Sequence, residues 1–293
     1  MTGNTGNTGN TGNTGNTGNT GNIGRDGWFI PDRVDLPFVT RLDPGGANEL
    51  GSLRRAPPAN FGDRLWAANW YAWRVLHQLI ANVANWAAQV NADANFTNIR
   101  NALVANYNGQ IDNLVLAARD ERPDAMAAIL SQDVEFFTDF SAVLTIRPGT
   151  HPQTWRVLHI ASLIGSFAAL FFKDRYNLPR PSQICPALLP PIPVPGHSSW
   201  PSGHATQAYL MKNCMLRVFI AAGMPAADRA VLSSDLTILA ETIARNREIA
   251  GLHYPRDSEG GARLAALLDG VILAAGAVPL LDAAIAAAAG EWP

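Results

Sequence analysis

The spacing of apolar positions changes twice along the chain. Residues 2–22 contain none: seven copies of Thr-Gly-Asn fill them, and glycine keeps its period of three through Gly24 and Gly27. Without apolar side chains this tract cannot build a core of its own. It reads either as a flexible polar leader or as an extended threefold strand that pairs with its own copies in a homo-oligomer. Residues 28–60 scatter Pro and Gly among a few apolar side chains. They read as an extended arm laid over a domain, with Trp28, Phe29 and Phe38 as anchors.

From Phe61 onward the period becomes helical. Trp66, Trp70, Trp73, His77 and Ile80 follow a 4-3-4-3 spacing and predict a helix burying that stripe, His77 included as a core histidine. A second helix is expected from about Pro123, with Phe136, Phe140 and Val143 on one face. A third is expected over 153–173, where His159 sits among apolar residues as a structural side chain. Eight of the 20 prolines then fall between Pro179 and Pro201, which demands a rigid loop. Helices are predicted again over 202–221, 226–250 and from Pro255 toward the end. No alternating run marks a strand. The expected fold is all-α, divided into a leader (1–27), an arm (28–60) and one helical domain (61–293).

Composition narrows the classes. With 47% hydrophobic and 16% charged residues the chain is not generally disordered. A net charge of −2 gives no electrostatic reason for a nucleic-acid partner. The longest apolar stretches, 157–172 and 264–281, are interrupted by His159 and Asp269, so no integral membrane span is expected. No basic-then-apolar signal pattern opens the chain, and a cytoplasmic location is the expectation. Cys185 and Cys214 are too few for a disulfide framework or a zinc cage, and either two free thiols or one bridge fits them.

Three segments place polar residues where the helical pattern calls for apolar ones. Lys173 closes an apolar helix, and Arg180 follows a turn fixed by Pro179 and Pro181. Pro201-Ser202-Gly203-His204 opens a helix, whose N-terminus offers unpaired N–H groups and partial positive charge to an anion; Ser202 also suits a plain N-cap. Leu232, Leu236, Leu239 and Ile243 form a stripe whose next position is Arg247, and a buried Arg requires an anionic partner. His253 and Asp257, four apart around Pro255, let the carboxylate accept a hydrogen bond from the imidazole. Arg247 and His253 lie about 240° apart on an ideal helix, so Gly251 is expected to break the helix and bring them together. His197, in Pro195-Gly196-His197, suits a simple turn or the pocket entrance. Gly260-Gly261, early in a helix, points to close packing near the site.

Together these segments resemble the superfamily of type-two phosphatidic acid phosphatases, bacterial acid phosphatases and vanadium haloperoxidases. Its pattern is Lys-x6-Arg-Pro, Pro-Ser-Gly-His and Ser-Arg-x5-His-x3-Asp, in that order. The chain matches at Lys173, Arg180-Pro181, Pro201 to His204, Arg247, His253 and Asp257; it departs at Asn246, where the family has Ser. The resemblance implies a helical bundle of that type. It further implies that Lys173, Arg180, Ser202, Gly203 and Arg247 cradle a phosphate. His253, oriented by Asp257, would attack phosphorus to form a phosphohistidine, and His204 would protonate the leaving group and activate water. On this reading the partner is a small-molecule phosphate ester and no metal or cofactor takes part. In the haloperoxidase alternative the same pocket holds vanadate on His253. A non-catalytic oxyanion-binding or assembly protein is the third alternative.

Overall fold

The computed structural model describes residues 60–292. The leader and nearly all of the arm expected over 28–60 lie outside the described residues.

Among the described residues every regular element is helical. Six helices, α1 (Ala68–Asn82), α2 (Trp86–Asn91), α3 (Ala94–Ala105), α4 (Tyr107–Asp120), α5 (Arg122–Val134) and α6 (Phe137–Leu144), precede the long α7 (Pro152–Tyr176). The short α8 (Pro181–Ile184) and the proline-dense loop lead into α9 (Gly203–Ala221), α10 (Ala226–Ile249), α11 (Pro255–Leu267) and α12 (Pro279–Ala289). Local chemistry sets several of these boundaries. Pro occupies the first helical position of α7, α8, α11 and α12, where its missing N–H costs nothing. Asp93 and Asn106 cap α3 and α4 by accepting from Phe96 N and Gly109 N.

Helix α7 is the axis of the fold: α1, α9 and α12 pack around it, and α9 packs in turn on α10 and α11. This explains its apolar composition. The stretch Pro152–Ile184 is long and apolar enough to cross a membrane, yet 78% of its most apolar window is buried within the protein. His159 is among those buried residues and stacks on Phe137, with ring centroids 4.6 Å apart. Burial holds its imidazole down to about 4.

Two expectations about faces fail. Helix α1 turns its Trp stripe outward: Trp70 is 57% exposed and Trp73 51%, and His77 is also exposed. Tyr71, Ala72, Val75, Leu76 and Leu79 are buried instead. The helix carries two apolar stripes, and the one with smaller side chains faces α7, where close approach is needed. The helix expected from Pro123 is two helices. Glu135 is extended, and its carboxylate accepts from Thr138 N (3.1 Å), an alternative to continued helix that restarts the chain as α6. Phe136 and Phe140 are buried as expected, but Val143 is exposed. Cys185 and Cys214 are both free.

Candidate active site

The C-terminal half of the fold gathers charge in its interior. Lys173, Arg180, Arg247, His204, His253 and Asp257 are all buried. Lys173 lies in the last turn of α7 and donates through Nζ to Ser198 O (3.0 Å) and to Ser199 O. Arg180 precedes α8 and donates to His197 O (2.9 Å) and Leu252 O (3.0 Å). The proline-dense loop therefore wraps around the two cations it follows.

Gly251 ends α10 as the sequence implies. Its φ of 77° lies in the left-handed region, and Leu252 N returns to Arg247 O at 3.0 Å, turning the chain back toward α11. That reversal brings Leu252 and His253 against Arg180, while Pro255 starts α11 and puts Asp257 in its first turn. Ser202 caps α9, its Oγ accepting from Ala205 N at 3.4 Å, and Ser202 N donates to Asp257 O at 2.9 Å. The cap role and a role in the anion cradle are compatible, since Gly203 and His204 occupy the first turn of α9.

The hydrogen bonds fix the tautomer of His253. Arg180 Nη1 lies 3.3 Å from its Nε2, and Asp257 Oδ2 lies 2.8 Å from its Nδ1. A guanidinium only donates and a carboxylate only accepts, so the proton is on Nδ1 and Nε2 carries a lone pair. Burial and the charges of Arg180 and Lys173 hold His253 well below the usual imidazole range. His204 is depressed by burial and by Arg247, while its contact with the Gln132 carbonyl (3.2 Å) acts the other way. Lys173 and Arg180 bear on both rings, so the two imidazoles share one buried cluster. Burial also lowers Lys173 well below its ordinary value and brings Arg180 and Arg247 down to about 10.

The cations outnumber their buried counter-charge. Arg247 donates to Ile129 O (2.8 Å) and pairs loosely with Asp133 (3.7 Å). Its Nε and Nη1 are buried without hydrogen-bond partners among the described residues. Orphaned buried donors of this kind are costly.

Residues 155–277 match the family model of the PAP2 superfamily. The matched segment is similar to the PAP2 superfamily. Members of this superfamily are phosphatase-type hydrolases acting on small phosphate substrates. No curated protein matches the chain. The match spans all three motif segments, from Lys173 to Asp257.

Several residues around the site are absent from the three motif segments. Ser199, fully buried, donates through Oγ to Asp257 Oδ2. Gln132 of α5 accepts from Asn246 Nδ2 (2.9 Å), so the position where this chain departs from the family pattern is used to hold α5 against α10. His197 is no plain turn residue: its Nδ1 faces Arg180 Nη2 at 2.9 Å, and it lines a cavity of about 410 Å³ together with Arg180 and Gln183. Trp200, joined to Pro201 by a cis bond, seats the loop on α11. A Cβ at Gly260 would meet the Trp200 ring at 2.1 Å, and one at Gly261 would meet Ser202 O at 2.7 Å. The glycine pair thus serves close packing beside the site.

Proposed function

We propose that this PAP2-like domain hydrolyses phosphate monoesters through a phosphohistidine intermediate, without a metal. The observation that carries the reading is the bare Nε2 of His253, held by Arg180 and Asp257 within a buried excess of positive charge. Lys173, Arg180 and Arg247 would balance the charge on the phosphoryl oxygens, and the Gly203 N–H with the Ser202 hydroxyl would complete the cradle. Because little covalent work falls to the protein in phosphoryl transfer, placement and charge do most of the catalysis.

His253 Nε2 attacks phosphorus as the bond to the alkoxide breaks, and His204 gives the alkoxide its proton. The Gln132 carbonyl accepts from Nε2 of His204, so the proton that moves is the one on Nδ1. Water, deprotonated by His204, then cleaves the P–N bond and frees phosphate.

A paired assay on one purified sample tests the reading. One arm measures hydrolysis of an aryl phosphate; the other measures bromination with peroxide after vanadate is added, since vanadate copies the shape of phosphate. Hydrolysis is expected, with loss of at least 10³-fold in His253→Ala while the helical circular dichroism is unchanged. Bromination without hydrolysis assigns the pocket to vanadate chemistry instead. Anion binding with neither turnover leaves a binding protein, and near-normal hydrolysis in His253→Ala removes the nucleophile.

A further inference from the structure

Asp257 has two oxygens, and either could face the imidazole after rotation of the carboxyl group. In this structure the donors converge on one of them. Oδ2 accepts from His253 Nδ1 (2.8 Å), from Tyr254 N (3.1 Å) and from Ser199 Oγ, whereas Oδ1 is buried without a partner among the described residues. His253 and Tyr254 belong to the same turn as Asp257 and move with it. Among the described residues, Ser199 is the one side-chain donor to Oδ2 that comes from a separate element.

Ser199 is itself held at three points. Its N–H donates to Leu178 O at 2.9 Å, its carbonyl accepts from Lys173 Nζ, and its hydroxyl reaches Asp257. The hydroxyl has one proton to give. Because His253 Nδ1 already donates to the carboxylate, that proton goes to Oδ2 and not to the ring, whose Nδ1 is 3.5 Å away. Lys173 and Arg180 bear on the carboxylate from their own segments, and Tyr107 and Tyr254 lie close enough to feel its charge.

We propose that Ser199 is a positioning residue: its hydroxyl holds Asp257 Oδ2 against His253 Nδ1 and so keeps the imidazole in place with Nε2 bare. The proposal rests on the phosphohistidine reading for its effect on rate, but not for its effect on the ring. Through the same residue the orienting carboxylate is tied to Lys173, a proposed phosphate ligand, so the nucleophile and the cradle are set by one loop.

Ser199→Ala removes only the hydroxyl. Losing a hydrogen bond to a charged group predicts a fall in kcat of roughly 10- to 100-fold. KM for an aryl phosphate and inhibition by inorganic vanadate should stay within about twofold, because no phosphate ligand is lost. Ser199→Thr, which restores a hydroxyl, should recover most of the rate. Independently of turnover, the His253 Nδ1–H proton should resonate far downfield in the parent protein, as a charge-assisted hydrogen bond does, and should shift and exchange faster with water in Ser199→Ala. An unchanged Nδ1–H resonance and exchange rate in Ser199→Ala overturn the proposal whether or not the parent protein hydrolyses phosphate esters. So does a rise in KM that parallels the loss in kcat, which would mark Ser199 as loop packing only. If the parent protein proves inactive while the Nδ1–H resonance still changes in Ser199→Ala, the phosphatase reading fails and the role of Ser199 stands.

Discussion

At the scale of single residues, the site separates its ionisable groups by environment. Desolvation pushes the Asp257 carboxyl up to about 6, although the Ser199 hydrogen bond and Lys173 oppose it. The same burial, with nearby cations, depresses both imidazoles. The signs lead to a pH profile. Below about pH 6 Asp257 takes a proton, no longer orients His253 as an anion, and the rate falls. Toward neutral pH both rings of the free protein are uncharged, so the proton for the leaving group must arrive with the substrate, whose second ionisation lies near pH 6. Above that pH the productive protonation state becomes scarce. A bell-shaped kcat/KM centred near pH 6 is therefore expected for aryl phosphate hydrolysis, falling on both sides. Rates still climbing above pH 8 would contradict the assignment of His204 as the acid.

The elements show why these residues meet. The Gly251 reversal between α10 and α11 aligns Arg247, His253 and Asp257, and the proline-dense loop between α8 and α9 carries Ser199 and Ser202. That loop rests on α11 through Trp200 against Gly260. Gly260→Ala should force the indole away and misplace the loop. Overpacking of this kind costs about 1–3 kcal/mol, and a displacement near 1 Å at the site can cost about 10²-fold in rate. Thermal melting and kcat measured on the same variant would check both effects; an unchanged kcat would show that the loop holds its place without Trp200. The three motif segments and the Gly251 turn are legible in the sequence, because fixed local spacing and helix-end chemistry are short-range properties. Ser199 and Gln132 are not, since their importance comes from contacts 58 and 114 positions away in the chain. Nor is the buried face of α1 legible: two apolar stripes compete there, and only the partner helix decides between them.

For the whole molecule, the site is a stability cost. Arg247 is fully buried, its Nε and Nη1 have no hydrogen-bond partner among the described residues and its charge is met by the loose Asp133 pair, and the field of Lys173 and Arg180 opposes further positive charge nearby. An anion that binds only the folded state adds about 2.7 kcal/mol of stability at a hundred times its Kd. For a helical unit of this size the melting temperature should then rise by roughly 5–10 °C. Phosphate or vanadate should produce this rise, while chloride at equal ionic strength should not. Arg247→Met separates the contributions. It replaces a buried, loosely paired charge by an apolar side chain of similar length, a change that is often neutral or stabilising. Without anion the variant should melt near or above the parent protein, yet its anion-dependent rise should vanish together with turnover. A large destabilisation of the anion-free variant would mean that the Ile129 and Asp133 contacts of Arg247 sustain the fold, and that the buried charge is structural. Stability and function would otherwise pull in opposite directions at this one side chain, as expected where a fold keeps a loosely paired buried cation for use rather than for stability.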